Sequence, residues 1–248
     1  MNEADIIWGR HPVAEALSVA GRVQRVLVAR GAREAGLAEI LAQAERSHVP
    51  VEQVPRERLD QLARGANHQG VIAAVAPWIY ADLNELLALA ITRHEPPFLL
   101  VLDSVQDVHN LGALIRTAEA VGVHGLILPE HRAAGVTPAV VKSSAGAIEH
   151  LLVTQVTNLV RTLDLLKERG IWVIGLAGEA AEPIDRVDLN RPLALVVGSE
   201  GKGLSRLVRE HCDLLLALPM RGQINSLNAA IAGSIALYAA WRAREKAQ

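Results

Sequence analysis

Three stretches of the chain set polar side chains where an apolar run gives way to a helix-like segment. DSVQDVHNLGALIRTAEA (103–120) carries Asn110 and Arg116. VVGSEGKGLS (196–205) places Glu200 and Lys202 among three glycines. LPMRGQINSLNAAIAG (218–233) runs from Pro219 through Arg221 and Gln223 to Asn225, Ser226 and Asn228. Glycines beside a lysine after an apolar run have the look of a phosphate cradle, because free backbone N–H groups and an ammonium both bind anionic oxygens. Nucleotide hydrolysis and dinucleotide binding are therefore the first chemistries to test.

Both fail on spacing. A nucleotide-hydrolysing loop requires G-x-x-x-x-G-K-[ST]. Here Gly201-Lys202 is followed by Gly203, and the position five before Gly201 is Val196. A dinucleotide fingerprint places its glycines after the first strand of its βαβ unit. The glycine-rich turn here follows the fifth apolar strand of its block, whereas QDVHNLGALIRTAEA, after the first, holds one glycine. The same late position argues against an ordinary Rossmann methyltransferase. Each stretch alone has a plain structural explanation. Asn110 suits a helix N-cap, Arg116 can extend its stem along an apolar face, and Glu200 can belong to a polar turn. Asn225, Ser226 and Asn228 together exceed what one helix cap needs.

The elements that would position these residues form two blocks. Residues 1–76 alternate between helices (11–18, 37–48, 56–64) and strands (23–29, 49–54, 71–76), which makes a small α/β unit. Residues 77–97 read as a linker with its own helix, between Pro77 and Pro96-Pro97. Residues 98–248 alternate strands (98–105, 125–130, 150–156, 171–177, 193–200, 213–220) with helices (110–121, 137–147, 158–169, 203–211, 226–243). That order implies a mostly parallel sheet covered on both faces, with ligands beyond the carboxyl ends of its strands. The composition agrees: half of the 248 residues are hydrophobic and only 3% are aromatic. The formal charge of −2 leaves no general basic character, so any nucleic-acid binding must be local. One cysteine, Cys212, excludes an intrachain disulfide, and nine histidines without zinc spacing suggest no metal. The first ten residues have no apolar core of signal-peptide length, and 227–241 is too short to span a bilayer, so a cytoplasmic setting is expected.

Taken together, N-x-G-A-x-x-R-T (Asn110 to Thr117), V-x-G-S-E-G-x-G (Val196 to Gly203) and L-P-M-x-G-x-x-x-S-L-N-A-A-x-A (Leu218 to Ala232) resemble the three motifs of the SpoU/TrmH (SPOUT) family. These are RNA ribose 2′-O-methyltransferases that use S-adenosylmethionine. WGRHPVAEAL (8–17) and NHQGVIAAV (67–75) resemble the N-terminal substrate-binding domain of members that methylate a guanosine of 23S rRNA. The resemblance implies an α/β fold: a C-terminal trefoil-knot methyltransferase domain (98–248) behind a small N-terminal RNA-binding domain (1–76). It implies S-adenosylmethionine as methyl donor without a metal. It also implies a homodimer and 23S rRNA as partner, with neither DNA nor a membrane involved.

Carried over by position, Gly198, Leu218, Ile224 and Leu227 contact the donor. Asn110, Arg116, Glu200, Ser226 and Asn228 form the catalytic group. Asn110, Ser226 and Asn228 are expected to orient Arg116 and the ribose, with Glu200 holding Arg116 or donor groups. A guanidinium is hard to deprotonate, so Arg116 suits phosphate binding or alkoxide stabilisation better than base catalysis. Arg10, His11, Asn67, His68 and Gln69 are the candidates to face RNA. Two alternatives stand beside this reading: a tRNA ribose methyltransferase of the same family, and a non-catalytic RNA-binding relative. The joint presence of all five catalytic-type residues favours an active enzyme.

Overall fold

The computed structural model describes residues 6–31, 36–131, 133–223 and 226–245. Packing divides the chain into two units. One comprises Met1–Ile79 with Val136–His150, the other Tyr80–Gly135 with Leu151–Gln248.

The first unit contains strands β1 (Ile6–Trp8), β2 (Val23–Ala29), β3 (Val51–Val54) and β4 (Val71–Val75), in the sheet order β1-β4-β2-β3. β4 is antiparallel to both β1 and β2, while β3 runs parallel to β2. VIAAV is apolar at every position and buried at every position, as a central strand requires. Helices α1 (Arg10–Ser18), α2 (Ala38–Arg46) and α3 (Arg56–Leu62) complete the early part of the unit. Leu27, Val54, Leu59 and Ile72 form its core with Ile6. β1 escapes a reading of the sequence because three residues are too few to display a period. Its pairing with β4 is what makes it a strand.

Residues 136–150 count with this unit for identifiable reasons. Arg22 Nε donates to Glu149 Oε2 at 2.8 Å while the guanidinium lies 5.2 Å from the Trp78 ring. His150 Nε2 and Glu15 Oε2 are 2.8 Å apart. The helix expected over 137–147 is shorter, α6 (Pro138–Ser143), followed by a separate 3-10 turn at Ala147–His150. Ala145 adopts φ 54°, a left-handed conformation that ends the helix.

The second unit is built on seven strands: β5 (Phe98–Asp103), β6 (Gly125–Pro129), β7 (Val153–Val156), β8 (Trp172–Leu176), β9 (Glu182–Pro183), β10 (Leu193–Gly198) and β11 (Leu214–Ala217). Their order is β7-β6-β5-β10-β8-β11-β9, and every pairing is parallel. The α/β class expected from the alternation is thus the observed one. Several strands are shorter than their apolar runs. β5 stops at Asp103, where Ser104 turns to φ 63°, and β11 stops before Leu218.

Helices α4 (Leu83–Thr92), α5 (Val108–Ala120), α7 (Leu159–Glu168), α8 (Arg206–His211) and α9 (Ala229–Glu245) accompany the sheet. Asp82 and Glu85 close a capping box at the start of α4, and Leu86 on that helix is buried with Leu99, Val101 and Ile127. The consequential feature is the insertion of β10 between β5 and β8. The chain moves outward from β5 to β6 and β7, then returns to the other side of β5. The carboxyl ends of β5 and β10 therefore lie side by side at a switch in strand order, where a ligand crevice is expected.

At the other end of the strands, Arg244 fastens the last turn of α9. Its terminal nitrogens donate to the carbonyls of Pro96 at 2.8 Å and Pro97 at 3.0 Å, and also to that of Arg191. The guanidinium lies 4.5 Å from the Phe98 ring, and burial pushes its pKa down to about 10, so the cation persists at neutral pH. Arg244→Ala should lower the unfolding free energy by about 1–3 kcal/mol, because the carbonyls lose their common donor. Arg244→Lys should recover only part of the loss, since an ammonium lacks the planar fork. Urea denaturation of the purified variants measures both.

Candidate active site

The glycine loop after β10 is closed upon itself. Ser199 and Gly203 exchange backbone hydrogen bonds of 3.0 and 2.9 Å, leaving Glu200, Gly201 and Lys202 at the tip. Gly201 and Gly203 have φ of 80° and 64°, values that side-chain-bearing residues rarely adopt. Gly198 has a different reason to be glycine. A Cβ there would stand 2.2 Å from the Gly203 carbonyl carbon and 2.4 Å from the Leu204 nitrogen. The close approach is that of the loop's own backbone, where the sequence suggests room for a ligand. Gly198 nevertheless lines the adjacent cleft.

Asp103 anchors the far end of this loop. It is buried where β5 ends, opposite Gly198 in the register of β5 and β10. Its Oδ2 accepts the Ser205 N–H at 2.6 Å and its Oδ1 accepts the Ser104 hydroxyl at 3.1 Å. A buried carboxylate needs such partners, so the loop end is held in place. The sequence holds a faint signal for this role, an acid ending the apolar run FLLVL, but Asp103 was not among the expected site residues.

The three polar stretches converge on the loop tip. Asp107 caps α5 by accepting the Asn110 N–H at 2.8 Å, so Asn110 is the third helical residue and not the N-cap. Its side chain is free for another task. Asn110 Nδ2 donates to Glu200 Oε2 at 3.0 Å. Asn228 Nδ2 donates to Asn110 Oδ1 at 2.9 Å and to Glu200 Oε1 at 3.4 Å. Asn228 Oδ1 caps α9, accepting from Ala230 at 2.9 Å and Ile231 at 3.2 Å. The polarity is therefore determined throughout. The oxygen of Asn228 serves the helix, so its nitrogen faces Asn110, and the nitrogen of Asn110 is left to face Glu200.

Arg116 stands apart from this triangle. Six residues beyond Asn110 place it about 9 Å along α5 and about 120° around it. It is exposed and makes no hydrogen bond or ion pair with a described residue. The expected contacts from Asn110, Glu200, Ser226 and Asn228 to Arg116 are not made; Glu200 takes the two amides instead. Ser226 is exposed and has no side-chain hydrogen bond to a described residue.

A cleft of about 1120 Å³ opens beside the loop tip. Gly198, Glu200, Leu218, Ser226, Leu227 and Asn228 all line it. Ile224, the fourth expected donor contact, lies outside the described residues, as does Asn225. Segment 176–181 also lines the cleft, and there Arg209 donates to Glu179 and holds that carboxyl below the usual carboxylate range. The mix of aliphatic side chains, backbone turns and charged groups of both signs suits a mid-sized amphipathic ligand. Cys212 is no nucleophile, since burial pushes its thiol up to about 12.

Known proteins bear on this geometry. Residues 97–238 match the SpoU rRNA Methylase family, and residues 6–81 match a domain described as RNA 2′-O ribose methyltransferase substrate binding. YacO of Bacillus subtilis (strain 168), whose name places it among TrmH family tRNA/rRNA methyltransferases, is 45% identical over 240 residues, 97% of this chain and 96% of its own. A Staphylococcus aureus protein with the same family name is 42% identical over 242 residues, 98% of this chain and 97% of its own. Among solved structures, the SpoU methyltransferase AviRb from Streptomyces viridochromogenes in complex with the cofactor AdoMet superposes with a TM-score of 0.80 at 26% identity, covering 97% of this chain and 90% of that one.

The double task of Asn228 is open to test. Asn228→Ala should destabilise the protein by about 1 kcal/mol through loss of the α9 cap. Asn228→Ser should restore most of that loss, because a serine caps equally well, without restoring the bond to Glu200. Thermal denaturation of both variants gives the comparison.

Proposed function

Because the chain belongs to the SpoU rRNA Methylase family, we propose that it transfers a methyl group from S-adenosylmethionine to the ribose 2′-hydroxyl of a guanosine in 23S rRNA. The observation that carries this reading is the Asn110–Glu200–Asn228 triangle at the mouth of the glycine-loop cleft. Residues far apart in sequence, each from a different motif, meet there in one hydrogen-bonded group. Choice of 23S rRNA and of guanosine rests on the likeness of WGRHPVAEAL and NHQGVIAAV to the substrate-binding domain of such enzymes. The two names carried by the relatives allow tRNA as well as rRNA.

The cleft suits the donor in size and lining. Gly198, Leu218 and Leu227 would hold it, largely through backbone groups, with Ile224 the additional contact that the family resemblance implies. Bound there, the donor supplies a methyl already activated on a sulfonium. The chain's own work is then positional, which is where much of the rate in such a transfer lies. The Asn110–Glu200–Asn228 group offers a carboxylate oriented by two amides, suited to receive and align the ribose hydroxyl. Arg116, with its guanidinium uncommitted, stabilises the oxyanion that forms as the hydroxyl loses its proton, or grips the flanking phosphate. Ser226 adds a hydroxyl at the cleft rim. The unit containing β1–β4 presents Arg10, His11, Asn67 and Gln69 to RNA. His68 leaves that group: it is buried, its Nε2 2.9 Å from Asp60 Oδ1 and its Nδ1 accepting the Gly70 N–H at 3.0 Å.

A homodimer is part of the proposal. Ile231, Ile235 and Tyr238 recur along one face of α9 at 54%, 44% and 54% exposure, and Leu227 precedes them at 42%. An apolar stripe on an otherwise well-packed helix is best covered by a second copy. No helix among the described residues is long and apolar enough to cross a membrane. A cytoplasmic enzyme acting on ribosomal RNA is the setting proposed.

Cells lacking the protein should lose one 2′-O-methylguanosine from 23S rRNA, read by mass spectrometry of rRNA digests; loss of a tRNA ribose methyl instead would overturn the rRNA assignment. Arg116→Ala should reduce methyl transfer at least a hundredfold, the scale of removing one group that meets developing charge, with donor affinity kept in calorimetry. Near-normal turnover would remove Arg116 from the chemistry. Ile235→Asp should shift the dimer to monomer in sedimentation velocity at micromolar concentration.

A further inference from the structure

We propose that Lys142 and Arg10, both near Gln69, form a subsite for a phosphate of the RNA backbone. The proposal rests on the reading of the chain as an RNA methyltransferase. It adds a residue outside the two N-terminal stretches that resemble a substrate-binding domain.

All the parts belong to the first unit. Gln69 ties the stretches WGRH and NHQG together. Its Oε1 accepts the Arg10 N–H at 2.9 Å and its carbonyl accepts Arg10 Nε at 3.3 Å. Lys142 reaches the same spot from α6. A Cβ on Gly9 would meet Lys142 Nζ at 2.2 Å and Gln69 Oε1 at 3.3 Å, so the ammonium occupies the space that the missing side chain leaves open. The Arg10 guanidinium lies against Gly36, so the two cations stand over two glycines near Gln69.

Among the described residues neither cation has a counter-ion. Lys142 makes no hydrogen bond or ion pair with a described residue, and Arg10 makes no ion pair with one. Three carboxylates of this unit are already committed. Glu15 holds His150, Glu149 holds Arg22, and Asp60 holds His68. The ammonium is partly buried, and burial lowers its pKa, the signature of a cation that has lost water without gaining a partner. An anion with several acceptor oxygens would satisfy the unused donors of both side chains at once. Exposed His11, Asn67 and Gln69 adjoin the spot, and such side chains make the additional sugar and phosphate contacts that a polynucleotide offers and a free ion does not.

The test is the affinity of the full-length protein for protein-free 23S rRNA transcript across a potassium chloride series. Lys142→Gln and Arg10→Gln should each reduce the slope of log affinity against log salt by about 0.7–0.9, and weaken binding about five- to tenfold near 0.1 M salt, as expected for one lost phosphate contact. Lys142→Arg should keep the wild-type slope. Affinity for S-adenosylmethionine should be unchanged in all three, and the thermal midpoint in the two Lys142 variants. An unchanged slope in both glutamine variants overturns the subsite while leaving the functional reading intact. A wild-type protein that binds S-adenosylmethionine but no transcript overturns both. Inorganic phosphate is the remaining arm: if it stabilises the wild type but not the glutamine variants, and their RNA slopes are unaltered, the site takes a free anion and the proposal fails.

Discussion

Parallel pairing of β5 with β10 is the constraint on which the site depends. It sets Gly198 opposite Asp103, so two chain segments ninety-odd residues apart end their strands together. Asp103 then does what a buried carboxylate must, and takes hydrogen bonds from the chain around it, including the amide of Ser205. One end of the glycine loop is held by the sheet and the other by this carboxylate. Between them the Ser199–Gly203 pair leaves a short tip with little freedom. Glu200 is presented at that tip by the closure of Ser199 on Gly203.

The hydrogen-bond polarity of the site follows from a helix end. A helix leaves its first N–H groups without partners, and Asn228 answers that need at α9 with its oxygen. The amide nitrogen is thereby directed toward Asn110 and Glu200. A single capping interaction therefore organises a three-residue group, and Asn228 does more before α9 than cap it. Arg116 has no such organiser among the described residues. Its position on α5 suits a residue whose partner arrives with substrate, in keeping with the proposed role.

Family resemblance and packing draw different boundaries in this chain. The methylase family match runs unbroken over residues 97–238, yet residues 136–150 count with the first unit. Arg22–Glu149 and Glu15–His150 supply the local reasons, the former almost wholly removed from water. Ion pairs of that kind are costly to form and costlier to break, so they make a firm seam rather than a casual one. The same segment brings Lys142 to Gly9, which is how a residue from the methylase match comes to share a surface with the substrate-binding stretches.

Much of the architecture was legible in the sequence, because the periods of helices and parallel strands are local properties. The alternation over 98–248 follows from apolar runs that any buried parallel strand must show, and Asn225, Ser226 and Asn228 together stand out as more than one helix cap requires. Spacing alone was enough to dismiss a nucleotide-hydrolysing loop. Contacts between distant residues carry no such local mark. The three-residue β1 exists only through β4, and His68, which reads as an RNA-facing residue in NHQG, is turned inward by Asp60 and Gly70. Gly198 reads as room for a ligand but is needed for its own loop, and Asn110 reads as a cap until Asp107 takes that place. The sequence by itself determined which side chains are available for chemistry. Only the tertiary structure decided which of them meet, because the insertion of β10 beside β5 is a long-range pairing that no local pattern encodes.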